Sequence, residues 1–206
     1  VIIITDKNVS NYVKFPSWII KKIDAGIITR TNLSDLLRLS LLASYGGMWL
    51  DSTFYCVGSL DKSLYNGPIF SIKRPDYLHA SVAGGMFAGY SLGCDDDHRR
   101  AFATIRDFFL EYWRRNDFMV DYLLVDYLTV LAQRHDPWIA EAFNEIQPNN
   151  PDCDELFKIL DQPYDEDMWK RLSAHTDLFK LTWKQDFPVE HDGEKTFYGM
   201  LEGIGD

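Results

Sequence analysis

The sequence predicts a single α/β domain. Three observations carry this reading. The chain opens on a β-branched run, Val1-Ile2-Ile3-Ile4-Thr5; apolar stripes of helical period alternate with short apolar runs; and a helix broken at Gly46-Gly47 leads straight into Met48-Trp49-Leu50. Continuous β-branched runs suit strands buried on both faces, and strands alternating with helices suit one layered sheet. No internal repeat, low-complexity tract or linker divides the chain.

The elements follow in order. Val1 to Thr5 is expected as a buried strand. Pro16, at a first-turn position before Trp18, Ile19, Ile20 and Ile23, predicts a helix ending near Gly26. Asn32 can cap the next helix, whose stripe is Leu33, Leu36, Leu37 and Leu41. Leu39, Leu42 and Ala43 add apolar surface elsewhere, so this helix is expected to be buried on more than one side. Gly46-Gly47 ends it as a left-handed cap would. Met48 to Leu50 then reads as a strand with Asp51 at its carboxyl end. Pro68 to Lys73 and Gly85 to Tyr90 read as further strands. Asp95-Asp96-Asp97 supplies negative charge for a helix start, and Phe102, Ile105, Phe109 and Tyr112 give that helix its stripe. A helix from about Val120 to Arg134 turns Leu123, Leu124, Tyr127 and Leu131 inward. Asp165 to Ala174 reads as helix, Leu178 to Trp183 as a late strand, and residues after Lys184 as an irregular tail.

Length and composition narrow the class. The 206 residues allow one domain with a sizeable core, and 46% hydrophobic with 25% charged residues is ordinary for a globular protein. Aromatics at 15% leave rings for stacking surfaces as well as core. A net charge of −10 disfavours nucleic acid and anionic membranes as partners. Cys56, Cys94 and Cys153 lack metal-type spacing and read as reduced thiols, which points to a cytoplasmic protein. Peripheral attachment at the inner membrane face stays open. No apolar run reaches the roughly 18 residues of a span, and no signal peptide is visible. With no initiator Met and a strand at the first position, the true start is expected upstream of Val1.

The chemistry-bearing residues gather in one segment. A carboxylate at the carboxyl end of a core strand, here Asp51, lies where open α/β sheets bind ligands. It can hold a divalent cation bridging two phosphates, since Mg2+ and Mn2+ prefer oxygen ligands and keep several waters. The alternative is a cap on the next turn. Asp35 and Arg38 are three apart and share one face of the helix that feeds this strand. For Asp35 the alternative is a capping role three residues after Asn32; for Arg38, a solvated surface charge.

Ser34-Asp35-Leu36-Leu37-Arg38 followed by Tyr45-Gly46-Gly47-Met48-Trp49-Leu50-Asp51 resembles the core signature of DxD-type sugar-binding glycosyltransferases. More closely, Trp49 to Thr53, Asp107 to Trp113, Asp121 to Tyr127, Asn149-Asn150-Pro151, Lys180 to Lys184 and Thr196 to Gly199 resemble the bacterial capsular polysaccharide synthesis proteins. The resemblance spans nearly the whole chain. It implies a GT-A fold, a Rossmann-like sheet that in this chain lacks its first β-α unit, and with it part of the nucleotide pocket. It implies a domain over residues 1–184 and a C-terminal tail, 185–206, packed on or near the active site. It implies a retaining hexosyltransferase that moves a sugar from a nucleoside diphosphate donor, UDP-linked foremost, to a glycan or lipid-linked acceptor.

In the residues that the resemblance carries over, Asp35 contacts ribose or sugar hydroxyls, Arg38 approaches the sugar or diphosphate, and Asp51 contacts the ribose and an Mn2+ or Mg2+ ion. Gly46, Gly47, Ser52 and Thr53 complete the donor side. One departure stands out: the second Asp of DxD is Thr53, a neutral and weaker ligand for a hard cation. Looser metal binding, another carboxylate, or no metal requirement all remain open.

Secondary candidates are weaker. Asp126 shares a helical stripe with Met119, Tyr122, Thr129 and Gln133, and Tyr122 with Asp126 could border an acceptor groove; a partly solvated face explains the stripe equally well. Lys184 could neutralise a leaving diphosphate or be a surface lysine. Gly84-Gly85 could let the backbone approach a ligand. The five histidines show no metal spacing, though His191-Asp192 could supply a late ligand. A phosphatase of the HAD type needs an Asp at position 53 and finds Thr. A catalytically impaired nucleotide-sugar-binding module of the same fold remains the alternative.

Overall fold

The computed structural model describes residues 1–58, 60, 67–76 and 80–203. His79 and the last three residues of the tail lie outside them. The chain is a mixed α/β protein. Its elements run α1 (Ser17–Asp24), α2 (Arg30–Tyr45), β1 (Gly47–Leu50), β2 (Phe54–Cys56), β3 (Ile69–Ser71), β4 (Ser91–Cys94), α3 (Arg99–Arg115), α4 (Leu124–His135), α5 (Pro137–Asn144), α6 (Glu166–Ser173), β5 (Leu178–Lys180), β6 (Glu190–His191), β7 (Glu194–Lys195) and α7 (Phe197–Glu202).

The ladders among the described residues are antiparallel, unlike the parallel core of a Rossmann sheet. β4 is the centre of a three-stranded sheet, β1-β4-β3, with Gly47 opposite Cys94 and Leu50 opposite Ser91. The central strand needs glycine at position 93, because a Cβ there would stand 3.0 Å from the Gly47 carbonyl oxygen and 3.3 Å from the Phe70 Cβ. β2 pairs with β5, setting Phe54 opposite Lys180, and β6 pairs with β7 as a short hairpin.

Five sequence expectations are corrected. Val1 to Thr5 forms no strand; Val1, Ile2 and Ile3 are exposed, because no ladder among the described residues pairs their backbone and β-propensity alone does not make a strand. The strand expected at Gly85 to Tyr90 lies instead at Ser91–Cys94, since Gly84 and Gly85 both take positive φ and turn the chain first. Thr29, not Asn32, caps α2: its hydroxyl accepts the Asn32 N–H, and Asn32 is buried inside the first turn. Of the expected stripe Leu33, Leu36, Leu37 and Leu41 only Leu36 is fully buried; Leu39 and Leu42, expected to bury another side, are buried as well, because α3 packs along that side of α2. On α4 the inward residues are Leu124, Val125, Leu128 and Ala132, with Tyr127 and Leu131 turned to solvent. The helix starts at Leu124 rather than Val120.

Three apolar clusters hold these elements. The largest joins α1 to α5 around Ile19, Leu39, Phe102, Ile105, Phe109 and Trp113, none of which keeps any accessible surface. On α3 the last four recur at i, i+3, i+7 and i+11, one continuous stripe, and burial of each contributes roughly 2–3 kcal/mol. A small cluster behind the sheet joins Phe70, Ile72, Cys153 and Leu178. The third joins Leu156, Leu160, Leu172, Phe179 and Phe197. The stretch expected as an irregular tail thus contains a hairpin and α7, and Phe197 is anchored in that third cluster. The three cysteines are free thiols.

Candidate functional site

The site begins with a there-and-back path of the chain. From Arg38 to Tyr45 the helix advances about 10 Å. Gly46 and Gly47, at φ +63° and +78°, reverse direction. From Gly47 to Asp51 the extended chain covers about 13 Å, so Asp51 returns to the level of Arg38. The outcome is explicit in the contacts: Arg38 Nη2 lies 3.1 Å from Asp35 Oδ1 and 3.4 Å from Asp51 Oδ1. Trp49 Nε1 also donates to Asp51 Oδ1 at 2.9 Å, and the Trp49 ring lies 5.7 Å from the Arg38 guanidinium carbon.

Asp35 and Arg38 are both buried. Asp35 therefore neither caps the helix nor sits in its first turn, and Arg38 is no surface charge. Arg38 Nη1 donates to the Gly89 carbonyl, while its buried Nε finds no hydrogen-bond partner among the described residues. Gly89 marks where a third carboxylate enters. A Cβ there would stand 2.9 Å from Asp126 Oδ1 and 3.3 Å from Arg38 Nη1. Asp126 from α4 is itself buried. The structure thus separates the two residues expected to border an acceptor groove or a partly solvated face: Asp126 is buried beside the Asp35–Arg38 group, and Tyr122, 62% exposed, lies outside it.

Burial governs the electrostatics. It pushes the Asp35 carboxyl up to about 6, opposed by Arg38 and reinforced by Asp51. It pushes Asp126 up to about 6 as well, with the Asp35 charge adding to the rise and Arg38 opposing it. The two carboxyls interact and titrate as a pair.

The opposite wall comes from β2 and β5. Their register sets Phe54 opposite Lys180, and the Lys180 ammonium donates to Thr53 Oγ1 and, at 3.3 Å, to the Leu181 carbonyl. The rings of Phe54 and Tyr90 lie 5.9 and 5.7 Å from that ammonium. Burial lowers the Lys180 pKa; the charges of Asp51, Cys153 and Asp154 counteract this, and Arg38 adds to the lowering. Lys180 therefore stands within electrostatic reach of both Asp51 and Arg38. Sequence reasoning passed it over in favour of Lys184, which is exposed. The overlooked signal was distance along the late strand: Lys180 is inside β5, while Lys184 lies four residues further on.

The remaining donor-side residues divide. Ser52 is exposed in the turn after β1, beside Asp51. Gly46 and Gly47 lie at the other end of β1 from Asp51, where Gly46 caps α2 and Gly47 pairs with Cys94 of β4; they are not brought to the site. His191 lies on the exposed β6–β7 hairpin, paired with Glu194 and 3.5 Å from the Asp192 carboxylate, and among the described residues it joins no group of three or more metal-ligating side chains.

A divalent cation finds a poor donor set here. Asp51 Oδ1 already accepts from Trp49 and faces Arg38, and the Thr53 hydroxyl oxygen accepts from the Lys180 ammonium. Mg2+ and Mn2+ call for anionic or neutral oxygens with free lone pairs. Among the described residues no group of three or more His, Cys, Asp or Glu is arranged to hold a metal. Position 53 thus meets a protein cation where a second carboxylate would meet a metal.

The architecture and these groups define a class: a mixed α/β protein with a buried arginine–carboxylate cluster at the end of a sheet strand, faced by a lysine on a neighbouring ladder. The chain belongs to the capsular polysaccharide synthesis protein family, whose family model matches residues 1–201. No curated protein and no solved structure matches it.

Proposed function

We propose that the protein is a glycosyltransferase of surface polysaccharide synthesis, with a GT-A-like fold and a site that binds a nucleoside diphosphate sugar, UDP-linked foremost. The acceptor is a hydroxyl of a glycan or lipid-linked saccharide. The observation that carries this reading is the meeting of Asp35, Arg38 and Asp51 at the end of β1, with Arg38 Nη2 within 3.4 Å of both carboxylates. The glycine reversal between α2 and β1 returns Asp51 to the level of Arg38, and the arrangement combines a fixed guanidinium for phosphate with carboxylates for hydroxyls.

In this reading Asp51, 29% exposed at its side chain, accepts from ribose or sugar hydroxyls, and Asp35 fixes the guanidinium that faces the diphosphate. The anomeric C–O bond breaks with its electron pair leaving on the diphosphate. The acceptor oxygen bonds to the anomeric carbon, and its proton passes to the departing phosphate. Fixed positive charge lowers the barrier by stabilising that leaving group in place, and fixed hydroxyl contacts set the attack geometry. Among the described residues no helix is long and apolar enough to cross a membrane.

The test is Asp51→Ala, assayed for donor hydrolysis and transfer beside its thermal unfolding. Activity should fall at least about a hundredfold, several kcal/mol in barrier, with the melting temperature close to wild type; full activity would sink the assignment. A second reading, a binding module without turnover, is favoured by Thr53 standing where a second carboxylate is expected. Calorimetric titration of UDP-sugars that finds tight binding but no turnover by the wild type would select it.

A further inference from the structure

We infer that Lys180, held against Thr53, supplies the positive charge that a divalent metal would otherwise bring to the donor diphosphate, so that the protein binds nucleoside diphosphates without metal. The inference rests on the reading of the site as a nucleotide-sugar site.

Position 53 is the starting point. It stands two residues after Asp51, on the turn into β2, where a carboxylate would recruit a cation from solution. A threonine cannot do so alone. The fold instead brings a cation built into the chain: antiparallel pairing of β2 with β5 sets Lys180 opposite Phe54, and its ammonium meets the Thr53 hydroxyl. The ammonium has three donors. Among the described residues Thr53 and the Leu181 carbonyl take two, which leaves one for a phosphate oxygen.

The surroundings fix that charge in place. The Lys180 chain is half-buried, and the rings of Phe54 and Tyr90 flank the ammonium at less than 6 Å, close enough for the ring faces to favour a cation. Arg38 supplies a second fixed charge from the helical side, across Asp51. Two cations converging from different elements suit a ligand with two adjacent phosphates better than a single anion. A preorganised ammonium also has no loading step, whereas a metal site depends on free metal concentration. In transfer, the diphosphate takes the electron pair of the anomeric C–O bond, and Lys180 with Arg38 stabilises the added charge while the acceptor proton moves onto the diphosphate.

The experiment titrates the wild-type protein with UDP, ADP and GDP by calorimetry, once in excess EDTA and once with Mn2+. The preferred nucleotide should bind in EDTA with an affinity within about threefold of that in Mn2+. Lys180→Met should weaken it at least about tenfold in EDTA, the loss of one charge-assisted contact, and Lys180→Arg should recover most of that loss. Thr53→Asp combined with Lys180→Ala should convert binding to Mn2+ dependence. The wild-type arms need no variant to fold. Binding seen only with Mn2+, or binding in EDTA that Lys180→Met leaves unchanged, overturns the inference while the nucleotide-site reading stands. No nucleotide binding under either condition overturns both.

Discussion

The two walls that face Asp51 are built on different physical terms. The helical wall, from α2 and α4, holds Asp35, Arg38 and Asp126, all buried, with Gly89 pressed against them. The strand wall, from β2 and β5, holds Thr53 and Lys180 half-buried beside Phe54 and Tyr90. On the first wall nearly every donor and acceptor is committed to another protein group; on the second, one ammonium donor is left over. Buried charge networks with full internal partnering hold geometry, and removing one member is costly because the others are left uncompensated. Half-exposed cations cost little to remove and can meet a ligand. The difference teaches that the first wall fixes the geometry, Arg38 included, while the second keeps a donor in reserve for the ligand.

The comparison breaks most sharply at Arg38. Arg38→Met leaves the buried Asp35 and Asp126 without their shared cation, and should destabilise the protein by about 3 kcal/mol in urea unfolding at pH 7.5 as well as abolish donor binding. An unchanged unfolding midpoint would show that the helical wall is not the frame.

Asp126 tests the same wall from the other sign. Both buried carboxyls titrate near 6 instead of near 3.8. A raised folded pKa contributes stability that is fully present below the unfolded value and lost as pH rises through the folded one. The wild type should therefore lose stability between pH 4 and pH 7. Asp126→Asn removes one ionising group of the pair, and should be more stable than wild type by roughly 1–2 kcal/mol at pH 7.5, a gain that vanishes near pH 4. A gain independent of pH would mean that packing, not charge, sets the effect.

The helical wall was partly legible in the sequence, and the strand wall hardly at all. Asp35 and Arg38 are three apart on one helix, and the glycine stop that aims Asp51 back at them is local, so spacing together with the family resemblance singled out these three. Asp126 was weighed between an acceptor groove and a partly solvated face, because the face of α4 that turns inward is set by the packing of Leu124, Val125, Leu128 and Ala132 against distant elements. Lys180 joins Thr53 across 127 positions through the β2–β5 ladder, and such pairings leave no local periodicity to read. Val1 to Thr5 failed for the matching reason: a strand is a statement about its partner, and the run carries only half of it.

The mildest test separates the two lysines. Lys180→Met should cost under about 1 kcal/mol of stability, as a half-exposed charge does, despite its tenfold effect on nucleotide binding. Lys184→Met should change neither, because Lys184 is exposed and its backbone N–H, bonded to the Thr182 hydroxyl at 3.1 Å, survives the substitution. Unfolding and nucleotide titration of the two variants side by side give the decision. Equal losses of binding would assign the effect to the general positive charge of the segment 180–184. A loss confined to Lys180 would assign it to the one ammonium that the β2–β5 register carries to Thr53, because only a position inside the ladder is held by backbone pairing at a fixed distance from β1.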